Sequence, residues 1–169
     1  MKDMLHITVP KSLSAFQEPH TEADRKLISH KDEHEGYEFY RRELVPQGYA
    51  RQCMVSLYEI PPGKSSYPYH YHVKNEECFY ILSGTGLLKT PSGERRVNAG
   101  DFLFFPANEN GAHKLTNASA DEPLVYIDFD TYNDLEVSFY PDSGKVGIFG
   151  YGLRQLYRTC EQADYYEGE

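Results

Sequence analysis

From about residue 38 onward, apolar and polar positions alternate in short runs, the pattern of half-buried β-strands. Glu38–Val45, Gln52–Ile60, Glu77–Leu82, Leu124–Phe129, Leu135–Tyr140 and Lys145–Phe149 each carry it, rich in β-branched and aromatic residues. Pro and Gly punctuate the runs at Pro61–Gly63, Pro91–Gly93 and Pro141–Gly144. Thr85–Thr90 and Glu94–Val97 flank the second of these turns and predict a hairpin. Phe102–Phe105 is apolar at every position, which predicts a strand buried on both faces. Many short strands at short spacing predict an all-β sandwich or barrel. The first fifty residues say less. Leu5–Val9 is a short strand candidate, and Thr21–Ile28 has an N-cap threonine and could form one or two helical turns.

The chemistry concentrates between Gly63 and Gly84. His70 and His72 are two apart, so on an extended strand both imidazoles leave the same face. Val73–Glu76 is polar enough for a tight connection, and Glu77 opens the returning strand opposite the histidines. Two neutral imidazoles and a carboxylate converging on one point outline a metal site. A second stretch, Gly100–Asn117, adds His113 as a fourth ligand after a proline break at Pro106 and a glycine at Gly111. His30 and His34, four apart, could share a helix face as a second metal site. No further ligand is placed nearby, and a solvated charged segment is the reading we adopt.

These two stretches resemble the motifs of the cupins. The first, G-x5-H-x-H-x3-4-E-x6-G, lies on Gly63, His70, His72, Glu77 and Gly84, with one extra residue after Gly63. The second, G-x5-P-x-G-x2-H-x3-N, lies on Gly100, Pro106, Gly111, His113 and Asn117, with a longer loop between proline and histidine. The resemblance covers about residues 50 to 130. It implies a jelly-roll (double-stranded β-helix) barrel, with residues 1–50 as an extension packing on it, 51–132 as the barrel and 133–169 as C-terminal strands and an acidic tail. No internal repeat is visible, so one barrel is expected. It also implies a divalent transition metal held by His70, His72, Glu77 and His113; Mn, Fe, Ni and Zn all accept three nitrogens and one oxygen. Strand parity puts Phe79 and Ile81 on the face of Glu77, and Leu115 on that of His113, as an apolar wall for a small-molecule ligand. The implied activities are dioxygenation, decarboxylation or isomerisation of an organic acid, sugar or aromatic compound. A cupin that binds such a molecule without turning it over is the alternative. Glu109 is a further candidate for acid–base chemistry, although a charged loop residue is usually only solvated.

Charge and composition narrow the partners. Seventeen Lys and Arg against 26 Asp and Glu give a net charge of −9, which argues against nucleic acid and anionic membrane surfaces. No apolar run approaches the ~18 residues of a membrane-spanning helix, and the N-terminus lacks an apolar signal core, so a cytoplasmic protein is expected. Cys53, Cys78 and Cys160 form no C-x-x-C pair, which suits a reducing compartment. Fifteen tyrosines and nine phenylalanines make the chain aromatic-rich. Tyr67, Tyr69 and Tyr71 alternate with the histidines and are expected on the outer face, against solvent or a second subunit. A homodimer is therefore expected.

Overall fold

The computed structural model describes residues 27–31, 36–45 and 50–169. Among them the chain forms β1 (Leu27–Lys31), β2 (Glu38–Val45), β3 (Cys53–Ile60), β4 (Tyr71–His72), β5 (Glu77–Ser83), β6 (Thr85–Thr90) and β7 (Gly93–Asn98). β8 (Phe102–Phe105), β9 (Lys114–Asn117), β10 (Leu124–Thr131), β11 (Leu135–Tyr140), β12 (Lys145–Gly150) and β13 (Leu153–Arg158) follow. They pair antiparallel into three sheets ordered β1-β2-β3-β10-β5-β8, β7-β6-β9 and β13-β12-β11-β4. Antiparallel sheets facing one another across a shared interior are the jelly-roll arrangement, and no helix is long and apolar enough to cross a membrane among the described residues.

Burial alternates along the strands as the pleat requires. On β5, Glu77, Phe79 and Ile81 are buried while Tyr80 and Leu82 are exposed; on β10, Leu124, Tyr126 and Asp128 are buried. Ile60, Ile81 and Leu124 from the six-stranded sheet pack with Leu88, Val97 and Leu115 from the three-stranded one in a single core. Each of these six side chains is essentially sealed from solvent, at 0–1% exposure. Above them lies a layer of rings: Tyr58 stacks on Tyr126 at 5.0 Å, and Phe79 meets Tyr126 at 4.6 Å and Phe105 at 5.0 Å. Beyond the rings the inward side chains become polar.

Three expectations need correcting. Phe102–Phe105 is a strand, but it lies at the edge of its sheet with only Leu103 and Phe105 turned inward. Phe102 and Phe104 are more than half exposed, because no described element covers the outer face. Leu27 and Ile28 belong to strand β1 rather than to a helical turn; Leu5–Val9 and the rest of Thr21–Ile28 lie outside the described residues. Tyr67 points inward, its ring 5.0 Å from Phe39 and its hydroxyl 3.0 Å from that of Tyr58. The two-residue parity expected from Tyr67 to His72 fails because β4 comprises only Tyr71 and His72, with Pro68 interrupting the extended run before it. His30 lies on β1, and His34 lies outside the described residues.

Candidate metal centre

Three separate devices bring the four sequence-marked side chains to one place. His72 sits on β4, held to β11 by the pairing of His72 with Ser138. His70 and His113 face each other across an isolated antiparallel bridge, each backbone N–H bonded to the other's carbonyl at 3.1 and 2.9 Å. Glu77 begins β5 on its buried face. The loop before His113 folds tightly at Gly111, where a Cβ would run into the Pro106 carbonyl. Asn117 then anchors β9 by donating its amide to the carbonyls of Ile60 and Glu122, both at 2.8 Å. Both glycine and asparagine therefore have local structural work at the positions where the motif holds them.

One oxygen or nitrogen of His70, Glu77 and His113 lies within 4.8 Å of each of the other two. Glu77 Oε2 is 3.1 Å from His113 Nε2 and 3.6 Å from His72 Nε2. The His70 ring centre is 4.8 Å from that of His113 and 5.0 Å from that of His72. Donors held about 2.1 Å from one ion stand roughly 3–4 Å apart, so these separations suit a shared cation. His72 stands slightly outside the trio.

The outer nitrogens decide which atoms face inward. His70 Nδ1 lies 2.9 Å from the Pro68 carbonyl, and His113 Nδ1 lies 2.9 Å from that of Gly111. A carbonyl only accepts, so each Nδ1 carries the proton, and in the neutral ring Nε2 is a bare lone pair. His72 Nδ1 has Ser138 Oγ at 3.2 Å. Burial, reinforced by the facing His113, pushes the His70 pKa down to about 3 and keeps that ring neutral. Burial opposes charge on His72 as well, but the Glu77 carboxylate outweighs it and raises the pKa. For Glu77, burial acts to raise the pKa, yet His113 and His72 together hold it well below the usual carboxylate range. Glu77 Oε2 and His113 Nε2 are both buried without a hydrogen-bond partner. A buried carboxylate oxygen and an imidazole nitrogen 3.1 Å apart, neither with a hydrogen-bond partner, belong to a donor set that fits a divalent transition metal.

A carboxylate further out braces this arrangement. Glu136 on β11 accepts the backbone N–H groups of Val73, Lys74 and Asn75 at 2.8, 3.2 and 2.8 Å. It thereby fixes the turn between His72 and Glu77. His70, His72 and Glu77 open onto a cavity of about 850 Å³ lined by the six-stranded sheet on one side and by β11–β13 on the other. Tyr67, Asp128, Asp130, Tyr140, Lys145 and Arg154 are among its walls. Phe79, Ile81 and Leu115 lie in the core, with Phe79 edge-on to His113 at 5.4 Å. Glu109 is exposed on a short 3-10 helix and is not among the lining residues.

A family model for the cupin domain matches residues 56–130. This stretch is a cupin domain, and the fold that contains it is that of the cupin superfamily. This cupin is similar in structure to a candidate sugar phosphate isomerase of Acidithiobacillus ferrooxidans, with a TM-score of 0.69, 29% identity, and 78% of this chain and 83% of that one covered. A cupin-superfamily sugar phosphate isomerase of Silicibacter pomeroyi shares the fold at a TM-score of 0.68 and 24% identity, over 73% of this chain and 78% of that one. An uncharacterised protein of Methanocaldococcus jannaschii is 34% identical over 77 residues, which span 45% of this cupin and 60% of that relative.

Several residues of the cavity escaped sequence reasoning, Asp128 and Asp130 among them. Asp128 and Asp130 sit on the buried parity of β10, where Leu124 and Tyr126 precede them. Burial first, and neighbouring carboxylates next, raise the pKa of both well above the usual range. The legible signal was two acids at inward positions of an otherwise apolar strand.

Proposed function

We propose that this cupin is a metal-dependent enzyme that isomerises a small hydroxy-carbonyl compound carrying an anionic group, a sugar phosphate being the substrate class to test. The observation that carries the reading is the set of inward imidazole nitrogens around an ionised Glu77 at the base of an open cavity. His70, His72, Glu77 and His113 would hold the ion. When bound, such an ion polarises a carbonyl or hydroxyl oxygen as a Lewis acid. The chain's own groups do the rest. Lys145 and Arg154 line the cavity from β12 and β13 and supply positive charge for an anionic tail. Tyr67 and Tyr140 add rings and hydroxyls that can pack against and orient a polyhydroxylated chain. The likeness to the Acidithiobacillus ferrooxidans protein supports isomerisation over dioxygenation and decarboxylation.

Elemental analysis of protein purified without a metal-affinity tag comes first, followed by NMR assays of aldose and ketose phosphates with metal-loaded and chelator-treated protein. Near-stoichiometric transition metal and metal-dependent interconversion are expected. Failure to take up any metal would overturn the reading, and metal uptake with tight sugar phosphate binding but no turnover would favour a binding module.

We also propose a homodimer. Tyr80, Leu82, Phe102, Phe104 and Phe129 are exposed on the outer face of neighbouring strands β8, β5 and β10, a concentration of apolar surface that association would cover. Light scattering should return twice the chain mass; a monomer at high concentration would sink this assignment.

A further inference from the structure

The acids beside the histidine cluster raise a separate question. Asp130 on β10 is the cross-strand partner of Glu77 on β5, and Asp128 is two residues away on the same buried face. One oxygen of each of Glu77, Asp128 and Asp130 lies within 4.8 Å of those of the other two. Asp128 is 95% buried by its 5% exposure, and the Oδ1 atoms of Asp128 and Asp130 are both sealed from solvent without a hydrogen-bond partner. Three carboxylates this close in a low-dielectric interior repel one another unless bound protons or a cation neutralise them.

Arg41 is the cation beside them, but it does not resolve the problem. Its Nη2 donates to Glu43 at 3.0 Å and its Nη1 to the Tyr58 hydroxyl at 3.4 Å, while its Nε is itself buried without a partner. Its hydrogen bonds run along β2 and β3, so it reaches Asp128 and Asp130 only through its charge. Both acids line the large cavity and also a smaller one of about 210 Å³ beside it, so an ion from solution has a path to them.

We propose that Glu77, Asp128 and Asp130 form a second cation site, so that the centre is dinuclear and Glu77 is the carboxylate shared by both ions. The second donor set is all oxygen, which favours a hard ion such as Mn(II) or Mg(II), in contrast to the nitrogen-rich histidine site. Two-metal sites place their ions about 3.5–4 Å apart, and each ion offers an open position to one end of a bidentate substrate. The inference rests on the metal reading of the histidine site, since Glu77 belongs to both.

The experiment uses Mn(II) alone as probe. Chelator-stripped full-length protein is dialysed against increasing Mn(II), and bound metal is counted by mass spectrometry while electron paramagnetic resonance records whether the ions are spin-coupled. Two Mn(II) per chain and a coupled signal are expected for the wild type. Asp128→Asn and Asp130→Asn, which keep side-chain volume, should each leave one Mn(II) with an uncoupled six-line spectrum. Circular dichroism confirms that the variants fold, and the wild-type count stands even if they do not. One Mn(II) per chain at saturation in the wild type would overturn the second site while leaving the histidine site intact. No Mn(II) at all would overturn both.

Discussion

The two ends of this barrel are built from the same strands and obey opposite rules. Along β5 the inward row runs Ile81, Phe79, Glu77; along β10 it runs Leu124, Tyr126, Asp128 and Asp130; along β3 it runs Ile60, Tyr58, Ser56. Each row passes from an aliphatic side chain, through a ring, to a polar group. At the aliphatic end the three-stranded sheet closes over the core, and every group satisfies its neighbours by contact alone. At the polar end β11–β13 stand off across the cavity, and buried donors and acceptors are left facing one another. The ring layer of Tyr58, Phe79, Phe105 and Tyr126 divides the two, with Phe105 stacked on His113 at 3.7 Å. Stability is thus concentrated below the rings and chemistry above them, which lets the upper end carry crowded charge without unfolding the lower.

The sharpest way to break this division is Ile81→Ala. Ile81 is fully buried in the aliphatic core, so truncation should cost about 2–5 kcal/mol, read as a lower urea midpoint of the metal-free protein. Metal affinity of the fraction that remains folded should hardly move. A loss of metal equal to that of a ligand variant would mean that the ends are not separate.

The converse substitutions act at the upper end. His72→Ala should weaken metal binding by more than about 100-fold, while Ser138→Ala, which removes only the group at His72 Nδ1, should weaken it by roughly 10-fold. Competitive titration against a chromogenic chelator gives both values. Equal effects would show that Ser138 does more than orient the ring.

The smallest expected effect concerns charge crowding in the metal-free protein. Burial and the neighbouring Asp130 and Glu77 raise the Asp128 pKa above its ordinary 3.8. A raised acid contributes stability fully present below its unfolded pKa and lost as pH rises through the folded one. Asp128→Asn removes that loss. The variant should therefore gain on the wild type as pH climbs above 3.8. Urea midpoints across that range test it, and a gap independent of pH would contradict the sign.

Much of this was legible beforehand. Alternation located β2, β3 and β10–β12 to within a residue or two, because half-buried strands must alternate. The motif marked His70, His72, Glu77 and His113, and the structure brings them together: one tight turn joins His72 to Glu77, and a backbone bridge sets His113 against His70. Parity, however, reports which side of a sheet a residue faces and not which end of the barrel it reaches. Ile81 and Asp128 share the inward side, and only the folded sheet sends one to the aliphatic core and the other to the cavity. The exposure of Phe102 and Phe104 was illegible for a related reason: an apolar strand at a sheet edge reads the same as one in the middle.

Glu136 carries a consequence for how such proteins diverge. The stretch matched by the family ends at residue 130, yet the carboxylate that pins the Val73–Asn75 turn and the hydroxyl beside His72 both lie beyond it, on β11. The matched segment carries the four candidate ligands, and a segment outside it braces them. Exchange of β11–β13 between relatives would then retune the centre while every ligand stayed in place.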